Sequence, residues 1–199
     1  MITVSSSILV ISDSHGNVSA LTAVLDWARQ VQLAQNEIFD AAIFLGDGAD
    51  DLPLSSARTG FSIPWHKVRG NGDINFSIPA SCVVEFSGRQ NPGEHPGGST
   101  RKLFLTHGNR YDMSSGGKMI ISAAKAAGAE AALFGHTHVP HCSLLDGIFL
   151  LNPGSIGRPR SEAGPTFAIL EIPVTGPLKA RFFRLTRKGG RTDVEEMRG

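Results

Sequence analysis

Five short apolar runs in this 199-residue chain each stop at side chains that can ligate a metal. Ser7–Ser12 ends at Asp13, with His15 two residues on, and Ala41–Leu45 ends at Gly46-Asp47. Trp65–Arg69 stops at Gly70-Asn71, Lys102–Leu105 runs into Thr106-His107-Gly108, and Ala131–Phe134 ends at Gly135-His136 with His138 close behind. Short runs of this kind, partly β-branched and bounded by glycine and polar residues, read as buried strands. Beyond the carboxyl ends of strands in an α/β sheet, loops from different strands converge, so these residues are expected to share one site. Taken singly, an Asp-x-His or a Gly-Asn is ordinary turn chemistry. The signal is the recurrence, which takes in four of the chain's seven histidines.

Between the strands, Val18, Leu21, Leu25, Ala28 and Val31 recur at helical spacing, which predicts a helix over Val18–Gln35 capped by Asn17, and a second helix is expected over about Ser115–Ala127. Cys82–Phe86 and Lys102–Leu105 flank the glycine- and proline-rich Ser87–Thr100, read as a long flexible hairpin loop. Ile148–Leu151, Phe167–Ile172 and Ala180–Leu185 read as successive antiparallel strands. With 41% hydrophobic residues and no break in composition, the chain has material for one sizeable core, and residues 1–199 are read as a single α/β domain.

Nineteen Lys and Arg against eighteen Asp and Glu leave a net charge of +1, too little to draw the chain onto nucleic acid or an anionic membrane. The expected partner is therefore a small molecule, with no membrane and no extended nucleic-acid surface. Two cysteines, Cys82 and Cys142, make no disulfide framework and read as small apolar residues. With no targeting or spanning segment in view, the expected compartment is the cytoplasm.

Oxygen donors from Asp13, Asp47 and Asn71, mixed with imidazoles from His15, His107, His136 and His138, suit divalent ions such as Mn, Fe, Zn, Ni or Co. These seven side chains are too many for one ion. They suit two ions that share a bridging carboxylate, an arrangement known in phosphoryl transfer with the ions roughly 3.5–4 Å apart.

In this order, Asp13-Ser-His15, Gly46-Asp47, Gly70-Asn71, Thr106-His107-Gly108 and Gly135-His136-Thr-His138 resemble the motifs of the calcineurin-like metallophosphoesterases. The resemblance covers about residues 8–160 and is closest to the small stand-alone prokaryotic phosphodiesterases, which share the Asn152-Pro153-Gly154-Ser155 loop. It implies two mixed β-sheets packed face to face with flanking helices, a four-layer α-β-β-α sandwich. It also implies a ligand set: Asp13, His15, Asp47 and His138 for one ion, and Asp47, Asn71, His107 and His136 for the other, with Asp47 as the bridge. Asp47, Asn71 and His107 are taken as the catalytic residues, a hydroxide between the ions is the implied nucleophile, and Mn is the favoured metal, with Ni, Fe, Zn, Co or Mg as alternatives. Small relatives are often dimers or tetramers, so a homo-oligomer is a further expectation.

One position departs from the family. Where one branch has a His after the Asn, thought to help protonate the leaving group, this chain has Gly72, and Asp73, which would orient that His, is expected to have lost its partner. Good leaving groups and phosphodiesters are therefore favoured over phosphomonoesters, with a nucleotide or protein phosphatase as the alternative. A non-catalytic scaffold like the retromer subunit of this fold is a third reading, weakened because every ligand position is filled. His66 and His141 are read as packing or surface residues, and Asp50 and Asp51 as a solvated loop. Arg110, Arg158 and Arg160 are read as surface charge, against the alternative of a guanidinium fork on phosphate. Asn152–Ser155 is expected to form a tight turn that shapes the substrate-side wall.

Overall fold

The computed structural model describes residues 6–34, 36–87, 100–112 and 116–197. In chain order its elements are β1 (Ser6–Ile11), α1 (Val18–Leu33), β2 (Phe39–Phe44), α2 (Leu52–Thr59), β3 (Trp65–Lys67), β4 (Ser81–Ser87), β5 (Thr100–Thr106), α3 (Lys118–Ala126), β6 (Ala131–Leu133), β7 (Pro140–Leu145), β8 (Ile148–Pro153), β9 (Thr166–Ile172), β10 (Lys179–Lys188) and β11 (Arg191–Glu196). A single 3₁₀ turn, Ala49–Asp51, leads into α2.

Period-two alternation along buried strands builds the layers. On β1, Leu9 and Ile11 face Leu21, Leu25 and Ala28 of α1, while Ile8 and Val10 face a second core. That second core is the space between two sheets: Ala41, Ile43 and Leu45 meet Val84, Leu103, Leu105, Leu133 and Leu151 in it. On the far side of β5, Phe104 packs with Ile120, Ile121 and Ala124 of α3. The result is helix, sheet, sheet, helix, as expected. One sheet has the order β11-β10-β9-β1-β2-β3 and the other β4-β5-β6-β8-β7. Parallel pairing of β1 with β2 and of β2 with β3, and of β5 with β6 and of β6 with β8, makes both sheets mixed. Within each sheet, the strands that precede candidate ligands therefore run the same way.

The expected elements are present with small shifts at their ends, and Asn17 caps α1 by accepting from the Ala20 amide at 3.1 Å. The late strands differ from the expectation. Ile148–Leu151 does not join Phe167–Ile172; β8 lies in the other sheet, parallel to β6. Consecutive apolar runs look alike whichever sheet they enter, so sequence order misassigned the partner. Three elements went unanticipated. α2 is short and opens on a proline, β7 is largely solvent-facing, and β11 (RTDVEE) is a charged edge whose Glu195 pairs with Arg184 and Lys188 of β10. β4 and β5 do pair antiparallel, but the loop expected over Ser87–Thr100 lies largely outside the described residues, as does the expected start of the second helix at Ser115.

Candidate functional site

Each of the seven expected ligands lies on the loop just past a strand: β1 for Asp13 and His15, β2 for Asp47, β3 for Asn71, β5 for His107, and β6 for His136 and His138. Among the described residues, six non-glycine positions have φ in the left-handed region. Five of them are Asp13 (55°), His15 (46°), Asp47 (55°), His136 (65°) and His138 (61°). Such backbone costs about 1–3 kcal/mol per residue and collects where function over-determines geometry. Here it turns each side chain back toward a common point.

The side chains meet there. His138 Nε2 is 3.1 Å from Asp13 Oδ1, and His15 Nε2 is 3.2 Å from His138 Nε2. Asp47 Oδ2 lies 3.6 Å from His15 Nε2 and 3.6 Å from His107 Nε2, so one carboxylate oxygen faces imidazoles on both sides. The rings of His107 and His136 stand 5.1 Å apart. Two overlapping groups of ligand atoms, Asp13-His15-His138 and Asp13-Asp47-His107, are each held within 4.8 Å. Asp13, Asp47, His107 and His138 are buried, His15 and His136 are half-buried, and Asn71 is exposed on the rim of the same pocket.

The contacts behind these atoms leave the inward-facing lone pairs free. His107 Nδ1 donates to the Leu45 carbonyl at 2.8 Å and His138 Nδ1 to the Arg158 carbonyl at 2.6 Å, which leaves Nε2 of each ring as the acceptor. Asp13 Oδ2 accepts from Ser12 Oγ and the His136 amide, and Asp47 Oδ1 accepts from the Gly72 amide. The remaining Asp13 Oδ1 and His107 Nε2 are fully buried and have no hydrogen-bond partner. Buried polar atoms are almost always satisfied, so these two fit a site built for a cation. Burial, outweighing nearby carboxylates, lowers the pKa of His15 and His136 and favours their neutral, ligating form; the Asp13 carboxylate 3.1 Å away raises that of His138.

Close backbone approach holds the loops together. A Cβ on Gly70 would stand 2.0 Å from Asp47 Oδ1, and one on Gly135 would stand 2.1 Å from Ser12 Oγ and 2.7 Å from Asp13 Oδ2. Only glycine fits at either place.

Several expectations change in this setting. Asp73 has not lost its partners: its carboxylate accepts from the amides of Asp47, Gly48, Ala49 and Gly70 at 2.8–3.0 Å. Asp51 is not merely solvated either, since its Oδ2 accepts from Ser14 Oγ at 2.6 Å and the Gly16 amide at 2.9 Å and so pins the Asp13–His15 loop. Asn152 and Ser155 lie buried behind the ligands instead of walling the substrate side. Asn152 Nδ2 donates to Gly135 O and Thr137 Oγ1, and Ser155 Oγ donates to Asp13 O. The wall is made by Arg158, Pro159 and Arg160, which line the pocket with His15, Asp47, Asn71, His136 and His138. Arg110 is exposed and lies outside that lining. His66 packs edge-on against Phe86, and His141 lines a separate apolar pocket with Phe134 and Leu150, so neither joins the site. No signal in the sequence marked Asp51 or the two prolonged side-chain contacts of Asn152, because these bonds reach loops 15 to 37 positions away.

Residues 7–174 match the family model described as the calcineurin-like phosphoesterase superfamily domain. A probable metallophosphoesterase of Bacillus subtilis, YsnB, is 27% identical over 166 residues, covering 83% of this chain and 84% of its own. Among solved structures, a conserved protein of Streptococcus pneumoniae described as a predicted phosphoesterase superposes with a TM-score of 0.67 at 25% identity, covering 98% of this chain and 100% of that one. Vps29 of Chaetomium thermophilum superposes with a TM-score of 0.65 at 19% identity, over 96% and 95% of the two chains, a likeness of fold alone.

Proposed function

Since the chain belongs to the calcineurin-like phosphoesterase superfamily, we propose that it is a metal-dependent phosphodiesterase with a dinuclear centre. Asp13, His15, Asp47 and His138 would hold one ion, and Asp47, Asn71, His107 and His136 the other. The observation that carries this reading is Asp47 Oδ2, midway between His15 and His107 and next to the unpartnered Asp13 Oδ1 and His107 Nε2. Two bound divalent ions, Mn favoured, would supply Lewis-acid charge for the phosphate oxygens and an activated water as nucleophile.

The chain's own part is preorganisation. Leu45 and Arg158 carbonyls fix the tautomers of His107 and His138, Ser12 and the His136 amide fix Asp13, and the Gly72 amide fixes Asp47. At Gly72 there is no side chain to protonate a leaving group. Among the described residues, no histidine outside the ligand set lines the pocket. Departure as an anion therefore favours aryl or nucleotide leaving groups, which is why the diester reading stands ahead of the monoesterase. The scaffold reading draws on the Vps29 likeness, but a scaffold needs neither five strained ligand positions nor unpartnered buried ligand atoms.

The deciding experiment is hydrolysis of a bis-aryl phosphodiester and its matching monoester by metal-stripped protein, with and without Mn. Metal-dependent diester cleavage ahead of monoester cleavage is expected. A reversed preference makes the protein a monoesterase, and inactivity with every divalent ion sinks the catalytic reading. His15→Ala removes a half-buried ligand of one ion, so diester turnover should fall by at least about 10-fold, the least that losing even a ligand's supporting partner costs, and metal content toward one per chain; content that stays at two contradicts the assignment. Gly72→His should raise the monoester-to-diester ratio. A Cβ there would stand 3.2 Å from Asp47 Oδ1, so Gly72→Ala is the control for crowding, and equal ratios in the two variants remove the leaving-group argument.

A further inference from the structure

Among the described residues, Arg158 and Arg160 are the only cationic side chains on the lining of the candidate site, and Asp47 is its only acidic one. Neither guanidinium has an ion-pair or hydrogen-bond partner among the described residues, whereas Arg101, Arg181 and Arg184 are each held by glutamates. Their backbone is nevertheless fixed against the site. The Arg158 carbonyl accepts from His138 Nδ1, the Arg158 amide donates to Ser155 Oγ at 2.8 Å, and the Arg160 amide donates to the His138 carbonyl at 3.1 Å. The backbone that carries both arginines is thus tied to one candidate ligand, His138.

Charge makes this arrangement informative. Two divalent ions held by the two carboxylates Asp13 and Asp47 already leave a positive centre, and a phosphodiester brings a single negative charge to it. Two further arginines exceed what that ester needs. The pocket, about 360 Å³, is also larger than a lone phosphate requires and falls in the range of roughly 300–1,000 Å³ that takes drug-sized ligands. Guanidinium groups bind phosphate oxygens bidentately, which makes them suited to a second anion.

We propose that Arg158 and Arg160 form a clamp for a second phosphate group of the substrate, so that the preferred substrate is a phosphodiester carrying a further phosphate beside the scissile one. The clamp rests on the phosphodiesterase reading for the fate of the scissile bond, but binding of the second phosphate does not depend on cleavage.

The test uses two matched pairs with the full-length, Mn-loaded protein. Calorimetry compares binding of thymidine 5′-monophosphate and thymidine 3′,5′-bisphosphate; turnover compares the p-nitrophenyl 5′-esters of the same two nucleotides. The wild type should bind the bisphosphate at least tenfold more tightly, and Arg158→Gln/Arg160→Gln should reduce that preference to less than twofold. Metal content and melting temperature should stay near wild type, and KM should rise more for the ester that carries the 3′-phosphate than for the one that lacks it. Equal binding of the two nucleotides by the wild type overturns the clamp, as does an undiminished preference in the double variant. Absence of ester turnover together with a tenfold binding preference counts against the phosphodiesterase reading and leaves the clamp standing. The single variants apportion the effect between the two arginines.

Discussion

Asp47→Asn should abolish phosphodiester hydrolysis while leaving the protein folded. Asp47 Oδ1 accepts from the Gly72 amide at 2.7 Å, and an asparagine oxygen can keep that bond. Its amide nitrogen then takes the place of Oδ2, 3.6 Å from both His15 and His107. There a negative oxygen with lone pairs becomes a neutral donor that cannot bridge two cations. In a two-ion site the Lewis-acid charge is worth several kcal/mol, and losing about 4 kcal/mol of it lowers the rate about 10³-fold at 1.4 kcal/mol per decade. The new N–H groups can donate to the two imidazole nitrogens, so the melting temperature of metal-free protein should move by only a few degrees. Metal analysis should find one ion or fewer per chain. Turnover within tenfold of wild type, with two ions retained, would remove Asp47 from the bridge and with it the dinuclear reading.

The same residue shows how far the sequence could be read. Asp47, Asp13 and the four histidines were legible because each follows a buried strand, and strand ends are where loops from different parts of the chain converge. The sandwich was legible through the resemblance alone: odd and even residues of β1 and β5 enter different cores, but both sets are apolar, so the runs read as buried strands without naming the layers. What stayed hidden was long-range and polar. Asp51 and Asp73 look alike in sequence, acidic residues in short loops, yet one pins the Asp13–His15 turn and the other gathers amides from two loops. Arg158 and Arg160 carried no mark to distinguish them from Arg110 until the fold placed them on the pocket lining. Edge strand β11 was missed for a related reason: it is held to β10 by backbone pairing, and its mostly charged side chains, paired across the strands, leave no apolar pattern to mark it.

Asp73→Ala should then be the most destabilising change near the site, although Asp73 is not a ligand. Its buried carboxylate accepts four amide hydrogens: those of Asp47 and Gly70 on Oδ2, and of Gly48 and Ala49 on Oδ1. One side chain thereby ties the loop after β2 to the loop after β3 and fixes the left-handed turn at Asp47. Removing it leaves four donors without an acceptor, each worth about 1–3 kcal/mol if it stays buried. With water reaching some of them, a net loss of about 4 kcal/mol is expected, or roughly 10 °C in melting temperature for a chain of this size. Asp73→Asn keeps one oxygen and turns an amide nitrogen on the other pair of donors, so about half that loss is expected, and this milder variant serves if the alanine variant does not fold. Acid sensitivity gives an independent check. Burial pushes the Asp73 pKa up, but the four amides pull it down further, below its ordinary value of 3.8. A carboxyl depressed in the folded state contributes stability that is present above about pH 3.8 and is lost as the pH falls through its folded value. The stability difference between wild type and Asp73→Asn should therefore be full at pH 7 and shrink progressively below that point. Melting of Asp73→Ala within 2 °C of wild type at pH 7, or a difference independent of pH down to acid unfolding, would show that the loops are held by other means.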